Sequence, residues 1–143
     1  MHRHPLVRYV LCSIAACALA TASGCDQGPR LAPVQGVVKV NGAPPPGVGY
    51  LAFAPLEVAE GSILRPGQAS FGLDGKFSAT SFGTDEGLPP GKYRVSIVCW
   101  KEQPSGKNLD GVSYVPPDYR PEELVVDEDG VDVTYDIPLG PKK

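Results

Sequence analysis

Cysteine and histidine serve as nucleophile, general base and soft metal ligand near neutral pH, and this 143-residue chain has four cysteines and two histidines. Both histidines stand within the first four residues, and Cys12 and Cys17 follow them. Only Cys25 and Cys99 remain beyond. A domain without histidine lacks the general base of Ser-His-Asp and Cys-His catalysis and the ligand of histidine-containing zinc sites. We therefore predict no catalytic residue, no metal site and no cofactor.

Cys25 is suited to a different chemistry, because the segment before it has the parts of an export signal. Residues 1–8 carry Arg3 and Arg8 and no acid, and residues 9–22 form an apolar run. A basic start, a short apolar centre and small residues at the cut are typical of a secretory signal. The run is shorter than the roughly 20 residues that a membrane-spanning helix needs. The sequence predicts a signal peptide over residues 1–24.

The residues Ala22-Ser23-Gly24-Cys25 resemble the lipobox of bacterial lipoproteins. The resemblance implies that Cys25 is acylated (palmitate), becomes the new N-terminus and holds the protein on a membrane surface, with residues 25–32 as a tether. The alternative is ordinary cleavage after Ala18-Leu19-Ala20 or Ala20-Thr21-Ala22, which releases a secreted protein. Both routes place the protein outside the cytoplasm.

The composition of residues 25–143 is that of one acidic domain. Removal of Arg3 and Arg8 leaves 11 basic against 16 acidic residues, so no basic surface for nucleic acid is expected. Only Cys99 and Cys25 are left, and Cys25 is the predicted lipid site, so the domain relies on its core rather than on disulfides. The 16 prolines and 17 glycines mostly stand between apolar, β-branched runs, which is typical of short strands joined by turns.

Alternation of inward and outward side chains predicts about seven strands. Strands 68–73 and 76–82 are predicted to join around Asp74-Gly75 with Phe71, Leu73, Phe77 and Ala79 on one face. The last two strands are predicted to form a hairpin around Asp127–Gly130. The predicted strands are 33–40, 48–53, 68–73, 76–82, 93–100, 124–126 and 131–137. Their spacing predicts an all-β fold, a β-sandwich.

Three segments in order resemble a known family. They are Val34–Pro45 (VQGVVKVNGAPP), Phe71–Phe77 (FGLDGKF) and Leu88–Val95 (LPPGKYRV). Together they resemble the carboxypeptidase regulatory-like domain, a transthyretin-like (prealbumin-like) Greek-key sandwich found in small lipoproteins of planctomycete-type bacteria. The resemblance implies an accessory module without catalytic residues over residues 33–138, followed by a polar tail at 139–143.

Four groups of residues are candidates for a site or a structural device. Tyr93 matches the tyrosine corner, in which the hydroxyl returns to a backbone group a few residues upstream. Cys99 is predicted to point inward as an inert thiol. Trp100, Tyr114 and Tyr119 form a possible ligand platform for sugar or a partner peptide, or else a cover over an open sheet edge. The acids of the last hairpin are predicted to be solvated, because strand alternation spreads them apart; they are Asp127, Glu128, Asp129, Asp132 and Asp136.

These residues predict a non-enzymatic, lipid-anchored domain of the cell envelope with a structural or protein-interaction role. One alternative is a surface carbohydrate-binding module that uses Trp100, Tyr114 and Tyr119. Another is a hydrolase with two carboxylates about 5–10 Å apart in a cleft. The predicted partners are the membrane, through Cys25, and an envelope protein or glycan.

Overall fold

The computed structural model describes residues 30–83 and 85–139, and these residues contain no helix. They form ten strands arranged in two sheets, as predicted for an all-β sandwich. The strands are β1 (Val34–Val40), β2 (Gly49–Val58), β3 (Gly67–Phe71), β4 (Lys76–Ser78), β5 (Thr80–Phe82), β6 (Asp85–Glu86), β7 (Gly91–Glu102), β8 (Val112–Ser113), β9 (Leu124–Val126) and β10 (Val131–Ile137).

The smaller sheet has the order β10-β1-β4. Strands β1 and β10 run parallel and stay in register from Val34 opposite Val131 to Val40 opposite Ile137. Strand β4 pairs antiparallel with the other side of β1. The first and last strands of the domain are therefore neighbours.

The larger sheet has the order β6-β5-β3-β2-β7. Its longest pairing joins β2 and β7, with a bulge between Pro55 and Glu57. Two short strands share the far edge of β7. Strand β9 pairs with its beginning, at residues Gly91 to Tyr93, and β8 pairs with its end, at Trp100 and Glu102.

The core lies between the two sheets, where the inward side chains of each strand meet. Phe53 of the larger sheet and Phe77 of the smaller sheet lie with ring centroids 6.4 Å apart. A side chain as large as these stabilises the fold by about 1.5–3 kcal/mol when fully buried. The inward residues predicted for β1, β2 and β7 are confirmed as buried: Val34, Val38, Val40, Leu51, Phe53, Tyr93, Val95, Ile97 and Cys99.

The predicted hairpin at Asp74-Gly75 is wrong, because the chain crosses there from one sheet to the other. Strand β3 pairs with β2 and β4 pairs with β1. Phe71 and Phe77 still both face the core, whereas Leu73 is 63% exposed in the connection. The N–H of Val38 donates to the Gly75 carbonyl at 2.8 Å. Gly75 has φ of 74°, and a Cβ there would strike the carbonyl oxygen of Val38.

The predicted hairpin at Asp127–Gly130 is wrong for the same reason. Strand β9 pairs with β7, and β10 pairs with β1. Leu124 and Val126 are buried, and Val131 and Val133 pack half-buried against the core. A connection between sheets keeps the same side chains inward as a hairpin does, so alternation alone does not distinguish the two.

Candidate functional site

Tyr93 forms the predicted tyrosine corner at the start of β7. Its ring is fully buried, and its hydroxyl donates to the Pro89 carbonyl at 2.7 Å. Burial raises the pKa of Tyr93 to about 12, since the phenolate cannot be solvated there. This tyrosine holds the turn before β7 in place and is not available to a ligand.

The same turn holds the start of the domain. The N–H of Ala32 donates to the Leu88 carbonyl at 2.8 Å, and the N–H of Leu88 donates back to Ala32 at 3.0 Å. Both side chains are buried. The chain is thus attached to the sandwich from Ala32 onward, one residue before the predicted boundary. Cys25, the predicted lipidation site, lies outside the described residues.

Trp100 lies on the outer face of the larger sheet, opposite in direction to Cys99. Its ring meets that of Tyr50, with centroids 6.1 Å apart and planes tilted by 43°. Tyr50 is 41% exposed, and Val48 and Val112 are exposed as well. The Val48 carbonyl accepts from the N–H of Trp100, and Val112 pairs with Glu102 further along β7. We call Val48, Tyr50, Trp100 and Val112 the outer patch.

Tyr114 and Tyr119 do not join this patch. Both are half-buried and pack against the core from the long segment between β8 and β9. The pKa of Tyr119 is raised, first by burial and second by the charge of Asp136. Of the ring contacts among the described residues, Trp100 shares one with Tyr50 and none with Tyr114 or Tyr119. Alternation places Tyr50 outward, but only the pairing of β2 with β7 brings it to Trp100.

Cys99 is fully buried, as predicted, and its thiol donates to the Gly47 carbonyl at 3.4 Å. Burial raises the pKa of the thiol, while the contact with Gly47 acts in the other direction and is smaller. The thiol is therefore protonated at neutral pH and shielded from reagents.

The acidic residues of the β9–β10 region are exposed: Asp127, Glu128, Asp129, Asp132 and Asp136. One of them has a structural contact, since the N–H of Gly42 donates to Asp136 at 2.9 Å. Within residues 30–83 and 85–139, no three histidine, cysteine or acidic side chains converge as metal ligands. The exposure of these carboxylates agrees with the prediction that they are solvated.

The comparisons with known proteins add no relative: no family, no curated protein and no solved structure matches the chain. In the part of the chain that the structure describes, there is no helix of the length and apolarity needed to cross a membrane.

Proposed function

We propose that this protein is a non-catalytic domain of the cell envelope, anchored by a lipid on Cys25, with a structural or protein-interaction role. The export signal and the small residues before Cys25 support the anchor. We also propose that the sandwich is a carboxypeptidase regulatory-like, prealbumin-like Greek-key domain. The support for this is the order of its three sequence segments.

The observation that carries the proposal is the attachment of Ala32 to Leu88. Six residues separate Cys25 from Ala32. At about 3.5 Å per residue, a lipid on Cys25 would lie no more than roughly 25 Å from the start of the sandwich. Such a domain stays next to the membrane and can contact only partners in the same layer of the envelope.

Labelling with a palmitate analogue tests the anchor. We expect the full chain to be labelled and to fractionate with membranes, and Cys25→Ala to be unlabelled. Cys99→Ala is the matched control, because it removes the other cysteine expected in the mature chain and should label normally. Unlabelled wild-type protein in the soluble fraction would overturn the anchored form of the proposal.

The outer patch favours a binding role. The rings of Tyr50 and Trp100 are in contact, and Val48, Tyr50 and Val112 are exposed. Clustered exposed apolar groups often mark an interaction surface. Chemical cross-linking in intact cells, with Tyr50→Ser as the test variant and Ser70→Ala on the neighbouring strand as the control, should show an adduct that only Tyr50→Ser loses.

A carbohydrate-binding module is the second candidate, and the exposed ring of Tyr50 beside Trp100 favours it. The planes of the two rings are tilted by 43°, whereas a sugar stacks best on coplanar rings, so this geometry favours a protein partner. A glycan array read with wild type, Trp100→Ala and Tyr50→Ala separates the two. Binding that both variants lose would establish the sugar binder.

A further inference from the structure

Strand β7 has an unpaired stretch along one edge. Tyr93 is its last residue paired with β9, and Trp100 is its first residue paired with β8. Between these two residues, β7 is paired only with β2 on its other side. The stretch from 94 to 98 therefore presents one row of backbone groups that pairs with neither short strand.

The hydrogen bonds at the end of β7 show which residues face this edge. The N–H of Trp100 donates to Val48, toward β2. The carbonyl of Cys99 accepts from the N–H of Tyr114, on the opposite side. Since the backbone groups of a strand alternate in direction, Val95 and Ile97 face the same side as Cys99. Their two N–H and two C=O groups point to the unpaired edge.

These four groups have no partner among the described residues, although they are well covered. Val95 is 3% exposed and Ile97 is 7% exposed. None of the backbone or side-chain hydrogen bonds of the described residues outside the strand pairings involves either residue. Buried backbone groups are nearly always paired in folded proteins, because an unpaired one costs about 1–3 kcal/mol. A strand laid in the space beside this edge would give these groups hydrogen-bond partners.

A groove runs along this edge between β7 and the segment that links β8 to β9. Its volume is about 490 Å³, and its walls include Val95, Ile97, Val115, Pro116 and Tyr119. The two prolines Pro116 and Pro117 have no N–H to donate, so this wall cannot easily close onto β7 as a strand.

The charged side chains that line the groove are arginines. Arg94 and Arg120 line it, and no acidic residue does. Arg120 is fixed by donating to the carbonyls of Pro117 and Tyr119, both at 2.8 Å. Arg94 is exposed and has no ion pair or hydrogen bond among the described residues. On a chain with more acids than bases, these two arginines favour an acidic partner.

We propose that the β7 edge binds an extended acidic peptide segment of another protein as an added strand. The segment pairs with the backbone of Val95 and Ile97, and its acidic side chains lie beside Arg94 and Arg120. This inference deepens the proposed protein-interaction role and rests on it, but it does not depend on the lipid.

A synthetic seven-residue peptide of alternating aspartate and valine tests the proposal against the full chain in detergent. Fluorescence anisotropy should show binding, and amide exchange at Val95 and Ile97 should slow. The same peptide with lysine for aspartate should bind at least about tenfold more weakly.

N-methylation tests strand pairing without altering the protein. One peptide carries methyl groups on its aspartate amides and another on its valine amides. In an added strand only one of these two sets faces β7, so the two affinities should differ by at least about tenfold. Equal affinities would show that binding does not use the backbone and would overturn the proposal.

Charge reversal tests the role of the arginines. Arg94→Glu and Arg120→Glu should each lower the affinity for the aspartate peptide about threefold or more and raise the affinity for the lysine peptide. Lys39→Glu makes the same charge change on the smaller sheet and should leave binding unchanged. Circular dichroism of each variant shows that the fold is kept.

Three further outcomes would overturn this inference: no binding of the aspartate peptide, loss of binding in Trp100→Ala but not in Arg94→Glu, or a dimer of the chain that Arg94→Glu disrupts. The first leaves the anchor standing if Cys25 is still labelled by palmitate. The second assigns the partner to the outer patch, and the third assigns the edge to a second copy of the chain.

Discussion

Two buried tyrosines are expected to respond in opposite ways to the same chemical change, the loss of one hydroxyl. Tyr93 and Tyr135 are both at least nine-tenths buried, and burial raises the pKa of each to about 12. The hydroxyl of Tyr93 donates to the Pro89 carbonyl, whereas the hydroxyl of Tyr135 has no hydrogen-bond partner among residues 30–83 and 85–139. The substitutions Tyr93→Phe and Tyr135→Phe therefore remove a satisfied and an unsatisfied group.

The magnitudes follow from the cost of burying polar groups. Tyr93→Phe loses a buried hydrogen bond and leaves the Pro89 carbonyl without it, so we expect the free energy of unfolding to fall by about 2 kcal/mol. Tyr135→Phe removes a hydroxyl that was desolvated without compensation, and the packing of its ring on Phe77 at 6.2 Å is kept. We expect a gain of about 1 kcal/mol.

Thermal unfolding followed by near-UV circular dichroism measures both changes. At roughly 4 °C per kcal/mol for a domain of this size, Tm should fall by about 8 °C in Tyr93→Phe and rise by about 4 °C in Tyr135→Phe. Equal losses in the two variants would refute the reasoning, since they would show that the Tyr135 hydroxyl is as well satisfied as that of Tyr93.

Three further outcomes are expected. Gly75→Ala should lower the free energy of unfolding, measured by denaturant titration, by about 2–4 kcal/mol. Gly42 has a similar φ but open space around it, so Gly42→Ala should lower it by only about 1 kcal/mol. Equal losses would show that the contact with Val38 does not matter. The free energy of unfolding should be constant up to about pH 10 and fall as pH rises toward 12, because Tyr93 and Tyr135 ionise at lower pH in the unfolded chain than in the folded one. A free energy of unfolding that does not change over this range would contradict the raised pKa values. With the other cysteines replaced by serine, Cys99 should react with a thiol reagent only as fast as the domain opens, and rapid labelling of the folded chain would contradict its burial.

The residues that face the core could be predicted from the sequence, and the partners of the strands could not. Tyr93, Val95, Ile97 and Cys99 are inward because alternation is a local property of an extended chain. Pairing depends on contacts between distant segments. Strand β10 pairs in parallel with β1, which lies at the other end of the domain sequence, and no turn residue predicts this pairing.

The same limit applies to the sites. The tyrosine corner could be predicted, because its partner stands four residues upstream, at Pro89. The pairing of Trp100 with Tyr50 could not, because it depends on the register of β2 against β7. The unpaired edge at Val95 and Ile97 could not be predicted either, since it exists only because β8 and β9 are too short to meet.

The parallel pairing of β1 with β10 bears on how the domain carries mechanical load. A pull on the chain at its N-terminal end enters β1, which is flanked by β10 and β4. Such a pull acts along β1, across the hydrogen bonds of its seven residue pairs with β10, so these pairs are sheared together instead of opening one at a time. Forced unfolding is governed by the rate of crossing that barrier. Under a pull on its N-terminal end, a domain whose first strand is flanked in this way resists unfolding better than one whose first strand peels away from an edge.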